Sequence, residues 1–434
     1  MTWQLGLALV VAIVAIDAIR RGLDVRFVLF VAGLILVGAV GEWWVVFDTF
    51  QKSLGKAEII GPICSAMGYA WVLKATGCDA QMVRLLVRPL QRYRWALVPG
   101  GCAVGFMANM AMTSQTACAA AVGPILIPLM IAAGHRPLIA GATLVVGCSV
   151  GGNLFNPGEP DIVAIHSVTQ WLVGPIIDRA VLPNLVSFVT ATLVLTVMGH
   201  RSTKGSSQVA TPEIHGEPVH LVKALLPPLP VLLLLLLQPG LNLVPSLFDI
   251  YPGGLHVSMV MLACTAIVLA VTWQREWAHH VAMVTREFFS GMGYAFTHVI
   301  SLIVAAACFI AGLNAVGAIS VTAGLLASAP SLATALSPVL TAGLAYVSGS
   351  GTAPSVSFTQ AMLPAITMSN PLHAVDLGVL GAIGASLGRT MSPVAAIVLF
   401  TATLVEARPI DLVRVTRWPM LAALGTVIVL ALVF

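Results

Sequence analysis

Charge is what this sequence has least of. Asp, Glu, Lys and Arg make up 9% of its 434 residues while apolar residues make up 58%, whereas a water-soluble domain carries about 25% charged residues. Between positions 288 and 375 there is no Asp, Glu, Lys or Arg at all. The net charge of +4 says little about acidic partners, since a basic balance in such an apolar chain mostly sets topology, and no nucleic-acid partner is expected. The signatures of metal and redox chemistry are also missing. Cys64, Cys78, Cys102, Cys118, Cys148, Cys264 and Cys308 show no CxxC spacing, which removes a disulfide framework and zinc or iron-sulfur sites. No HExxH joins the histidines, no serine lies in a GxSxG elbow, and no acidic pair occupies helical spacing within an apolar run. An intramembrane enzyme therefore has no visible nucleophile, base or metal, and no cofactor is expected.

What is present is hydrophobicity. Mean hydropathy is +0.97, and apolar segments from 3–19 to 418–434 approach the roughly 20 residues that cross a bilayer. The chain reads as an all-α polytopic membrane protein with roughly ten to twelve spans and further broken or re-entrant pieces. The first segment lacks a charged leader and an Ala-x-Ala cleavage signal, and so reads as a retained span. Lys and Arg cluster at Arg20, Arg21 and Arg26, at Lys74 to Arg94, at Arg201 and Lys204, at Arg275 and Arg286, and at Arg408 to Arg417. If those clusters are cytoplasmic, both termini lie outside, on the periplasmic side of a bacterial inner membrane.

Two stretches repeat. SAMGYAWV at 65–72 returns as SGMGYAFT at 290–297, and GCSVGGNLFNP at 147–157 has a counterpart in GASLGRTMSP at 384–393, with Gly147, Ser149 and Gly151 matching Gly384, Ser386 and Gly388. The order is the same on both sides of a polar linker rich in Gly, Pro and Ser. This divides the chain into a first repeat at 1–200, a cytoplasmic linker at 201–220 and a second repeat at 221–434. Segment 59–76 runs toward an Arg-rich stretch and segment 288–311 runs away from one, so the halves are expected to have inverted topology, as in many secondary transporters.

Chain breakers and short polar residues come together at four places. Asn109, Thr113, Ser114, Gln115 and Thr116 precede Pro124 and Pro128, which points to a hairpin near 113–134. Ser348, Ser350, Thr352 and Ser355 surround Gly349, Gly351 and Pro354, which points to a second near 345–368. The other two are GGNLFNPGEPD, with Asn153 and Asn156, and GRTMSP, with Arg389, Thr390 and Ser392. Non-helical chain at membrane depth is tolerated only where protein or a wet cavity covers it, and helix N-termini exposed there favour an anion. Arg389 has two open placements: buried, where its planar fork can hold a carboxylate, or at a helix end, reaching for the interface. Glu159 and Asp161 either help to bind a cation or proton or lie on a surface loop. Asn109, Asn153 and Ser348 are the candidates for a Na⁺ contact, and Na⁺ or H⁺ for the coupling ion.

The stretches IIGPICSAMGYAWVLKATGCDAQMVRLLVRPL (59–90), REFFSGMGYAFTHVISLIVAAACFIAGL (286–313) and GASLGRTMSPVAA (384–396) resemble the anaerobic C4-dicarboxylate uptake carriers of the DcuC type, a branch of the ion transporter superfamily. The resemblance implies secondary transport of succinate, fumarate or malate by exchange or cation symport. It further implies a dimerising scaffold and a transport domain that slides like an elevator, its two hairpin tips at Thr113–Thr116 and Ser350–Ser355, with Asn153, Asn156, Arg389, Thr390 and Ser392 in the adjoining breaks. A carrier of another carboxylate or of an amino acid, or an anion channel, is the alternative.

Overall fold

The computed structural model describes residues 2–88, 96–112, 114–202, 219–237, 244, 255–273, 276–319, 321 and 329–433. Among them every regular element is a helix, and seven helical stretches are long and apolar enough to cross a membrane. Shorter apolar helices, such as Val25–Val40, Leu97–Ala111 and Val257–Val271, accompany them. The apolar segment 221–237 is interrupted: it forms Leu221–Leu225 and Leu229–Leu236, because consecutive prolines at 227 and 228 interrupt the ladder.

One order of elements occurs twice. A helical hairpin, Leu97–Ala111 and Gln115–Ala132, leads into a broken helix, Pro137–Ser149 and Pro160–Thr169, and then into the long helix Val173–Ser202. In the second half the hairpin is Pro330–Ser348 and Thr352–Thr367, the broken helix Pro371–Thr390 and Ala396–Leu404, and the long helix Pro409–Val433. The first hairpin's arms end at Ala111 and resume at Gln115, at the start of the expected 113–134 stretch, since Pro124 and Pro128 are accommodated within Gln115–Ala132. Pro begins five of these helices, at 137, 160, 330, 371 and 409, where its missing N–H costs nothing.

Each broken helix lies against the first arm of its own hairpin, and glycine sets the distance. A Cβ on Gly147 would lie 2.8 Å from the Cys102 carbonyl oxygen, and one on Gly105 2.7 Å from the carbonyl carbon of Gly147. In the second half, side chains on Gly384 and Gly388 would run into the carbonyls of Pro338 and Ala342. Of the glycines recurring in the sequence, Gly147 and Gly384 thus both serve close backbone packing.

The two MGYA stretches also meet each other. Helices Ala57–Thr76 and Trp277–Ala295 pack closely, and a Cβ on Gly291 would come within 2.6 Å of the Met67 carbonyl oxygen. Ile59 and Ile63 share a cluster with Ile300 and Ile303, whereas Val72 and Leu73 share one with Val284 and Phe288, so the pair runs antiparallel. On the long helix Val173–Ser202, Leu182, Leu185, Val189, Leu193 and Val197 are all exposed. That apolar stripe would be a liability in water and is the expected outer face in lipid.

Candidate binding cavity between the hairpin tips

A cavity of about 250 Å³ lies where the hairpin tips, both helix breaks and the MGYA helices come together. Four helix N-termini line it. Ser114–Thr116 begins Gln115–Ala132, Glu159 and Pro160 begin Pro160–Thr169, Gly351 and Thr352 begin Thr352–Thr367, and Ala396 begins the last half-helix. The N–H groups of a first turn have no intrahelical partner and the helix dipole is positive at that end. Some are already used: the Ser114 side chain accepts from Ala117 N–H at 3.3 Å and Ser350 Oγ from Ala353 N–H at 3.3 Å.

Arg389 supplies the full positive charge. It is only 7% exposed and lines the cavity, so the interfacial placement does not hold. Its Nη2 donates to the Ser149 carbonyl at 3.0 Å and to Ser149 Oγ at 3.1 Å. Thr390 Oγ1 donates to the Ser386 carbonyl at 2.6 Å and lies 2.8 Å from Ser149 Oγ. A hydroxyl has one proton, so Ser149 donates to Thr390 and keeps a lone pair for Arg389. Nε of Arg389 is buried without a partner. The Nη1 side faces the second tip so closely that a Cβ on Gly351 would lie 2.8 Å from it.

Of the residues singled out from sequence, Ser114, Gln115, Thr116, Ser350, Thr352 and Arg389 line this one cavity. Thr113 lies outside the described residues. Thr390 and Ser392 are fully buried behind Arg389, Ser392 N–H donating to the Arg389 carbonyl at 2.9 Å. The asparagines hold the first break to the first hairpin. Asn109 Oδ1 accepts from Asn153 N–H at 3.0 Å while its Nδ2 donates to the Met112 carbonyl at 3.0 Å. Asn156 Nδ2 donates to the Met110 carbonyl at 3.0 Å, and its Oδ1 accepts from Gly158 N–H at 2.9 Å. Asn153 Oδ1 and Ser355 Oγ are buried without partners. Ser348 Oγ interacts only with the Ser350 backbone, at the turn after its helix.

Sequence reasoning left Glu159 and Asp161 undecided between a surface loop and the interior; they are 2% and 4% exposed, and the surface loop is excluded. It passed over Ile63, Met67, Tyr294, His298 and Val299, which close the cavity from the MGYA helices. Their signal was available, because Met67 and Tyr294 belong to the repeated octapeptides. Tyr294 stacks on His298 with ring centroids 4.0 Å apart, and His298 Nδ1 lies 3.0 Å from the Tyr294 carbonyl.

Comparison with known proteins agrees with this architecture. The family model of the DcuC C4-dicarboxylate anaerobic carriers matches residues 52–434. An uncharacterized transporter of Haemophilus influenzae is 38% identical over 136 residues, 30% of this chain and 94% of that protein. The anaerobic C4-dicarboxylate transporter DcuC of Escherichia coli K12 is 24% identical over 373 residues, 83% of this chain and 78% of that one. Among solved structures, the YdaH transporter of Alcanivorax borkumensis, described as having an unusual topology, superposes with a TM-score of 0.63 at 18% identity over 90% of this chain and 88% of its own. The chain belongs to the DcuC family of C4-dicarboxylate carriers.

Proposed function

We propose that this C4-dicarboxylate carrier holds its substrate in the cavity between the two hairpin tips, with one carboxylate on Arg389 and the other on hydroxyls and N–H groups of the tips. Family membership makes the chain a carrier rather than an enzyme. The observation that carries the reading is the convergence of four helix N-termini and one buried guanidinium on a single cavity. Each of these favours an anion, and the volume, below the usual 300–1,000 Å³ of drug-sized sites, suits a small acid. Thr116 and Thr352 are the side-chain donors on the two tips, and Gln115 and Ser350 lie beside them.

The doubled order of hairpin, broken helix and long helix, together with the antiparallel MGYA pair, supports inverted-topology halves. Tips from both halves would then enclose one substrate near the bilayer midplane. In this reading the hairpins and breaks move as one body against the MGYA helices, an elevator, by exchange or cation symport in the inner membrane. Both termini lie on the periplasmic side and the carrier works as a homodimer.

Thermal unfolding of the purified protein in the presence of mono-, di- and tricarboxylates and amino acids, with and without Na⁺, tests the substrate class. A ligand at about 100 times its Kd stabilises by about 2.7 kcal/mol. Succinate, fumarate or malate should raise Tm, and monocarboxylates and amino acids should not. The reverse ranking would point to a carrier of another acid or amino acid.

A further inference from the structure

The Glu159 side chain meets the Asn153 amide and is not otherwise tied to the helix it begins. It occupies the N-cap position of Pro160–Thr169 but makes no side-chain capping bond. Its Oε2 is buried without a partner, the residue is 2% exposed, and it lines the cavity that also holds Arg389. Behind it Asp161 is 4% exposed, with Oδ1 unpartnered. Both carboxylates interact electrostatically with Arg389, the one buried guanidinium among the described cavity residues.

The charges do not balance if both acids are ionised. One guanidinium can offset one of them, and a second buried, unpaired carboxylate costs several kcal/mol. A dicarboxylate entering the cavity brings two more negative charges and competes for the same guanidinium. Whichever acid faces the substrate then has to be neutralised, and that acid is Glu159, since Asp161 does not line the cavity. We infer that Glu159 is a proton-binding site coupled to the substrate: the dicarboxylate binds with Glu159 in its carboxylic acid form, taking up a proton there wherever the empty carrier holds Glu159 ionised, and that acid is a hydrogen-bond donor in the cavity. The inference rests on the substrate reading above.

No other group facing Glu159 performs this task. From Pro371–Thr390 it meets Arg389, and from the break the Asn153 amide. The Trp277–Ala295 helix and the turn after it contribute Tyr294 and His298, of which His298 is exposed. From Ala57–Thr76 the apolar Ile63 and Met67 are the described side chains that line the cavity, Cys64 being packed with Val163 and Ala164. From Thr352–Thr367 comes the hydroxyl of Thr352, whereas that of Ser355 faces Asp161. Arg179, on the long helix beside Pro160–Thr169, is paired with Asp376.

Calorimetric titration of succinate into the purified full-length carrier, in buffers of differing ionisation enthalpy, counts the protons exchanged. Wild-type affinity should fall as pH rises above about 7, and in that range proton uptake should approach about one per succinate. E159Q, an uncharged stand-in for the protonated acid, should take up none, and any affinity it keeps should not follow pH. E159D, which retains a titratable carboxylate, should recover proton uptake, so a poorly folded E159Q does not leave the question open. Equal uptake by wild type and E159Q in that range overturns the inference, and so does wild-type binding that is independent of pH. Succinate that binds there without proton exchange sinks this inference alone; a wild type that binds no succinate under any of these conditions sinks the substrate reading with it.

Discussion

Arg389 donates from Nη2 to the carbonyl of Ser149 at 3.0 Å, joining two residues 240 positions apart. Each belongs to the break of its own half, and the Ser149 hydroxyl repeats the connection through Thr390 at 2.8 Å. The guanidinium is thus anchored through Nη2 by the protein, while Nε is without a protein partner and the Nη1 side lies against Gly351 at the second tip. Anchoring restricts the rotamers of a long side chain, so less entropy is lost when it binds a carboxylate.

Packing of the second break against its hairpin rests on Gly384 and Gly388. Gly384→Ala and Gly388→Ala should each lower stability by about 1–3 kcal/mol, read as Tm in detergent, because the new methyls meet the carbonyls of Pro338 and Ala342. Gly343→Ala is the matched control on the same hairpin, where nothing lies within 4 Å of the added Cβ. It should be neutral or stabilising by up to about 1 kcal/mol.

If both tips hold the substrate, Thr116→Val and Thr352→Val should each weaken succinate uptake in proteoliposomes by roughly 5-fold to 10-fold, the worth of one hydrogen bond, without changing expression. Each removes a donor at nearly constant volume. Normal uptake in both variants would assign these hydroxyls to packing.

The tips and breaks were legible because chain breakers beside short polar residues stand out in apolar sequence, as at Ser114–Thr116 and Ser350–Thr352. Gly147 and Gly384 could be matched from spacing, although only the structure shows which carbonyls they approach. Glu159 was not legible: NPGEPD reads equally well as a solvated loop, and burial depends on how hairpin and break pack. Met67 and Tyr294 were visible only as markers of duplication, since a Met or Tyr in an apolar helix carries no sign of the cavity it faces. The roles of Asn109 and Asn156 were hidden for another reason. Their partners are backbone groups of Met112, Asn153, Met110 and Gly158, which side-chain chemistry in a sequence does not reveal.

Topology can be read by labelling. The seven native cysteines are buried, whereas Lys56 and His200 are exposed, so Lys56→Cys and His200→Cys should dominate the signal. A membrane-impermeant maleimide added to intact cells should modify the first and reach the second only after permeabilisation. Labelling of both in intact cells would remove the orientation on which the inverted halves were read.

The most direct test of the cavity as the dicarboxylate site is the affinity of wild type and Arg389→Gln for succinate, its monoamide and its diamide. Wild type should prefer the monoamide over the diamide, because a carboxylate on Arg389 is a charge-assisted contact worth about 1.5–3 kcal/mol, roughly a 10-fold to 100-fold difference. In Arg389→Gln that preference should largely vanish, and Arg389→Lys, which keeps the charge but not the fork, should fall between. A preference of the same size in wild type and Arg389→Gln would mean that the arginine and the carboxylate do not meet, and would contradict the account.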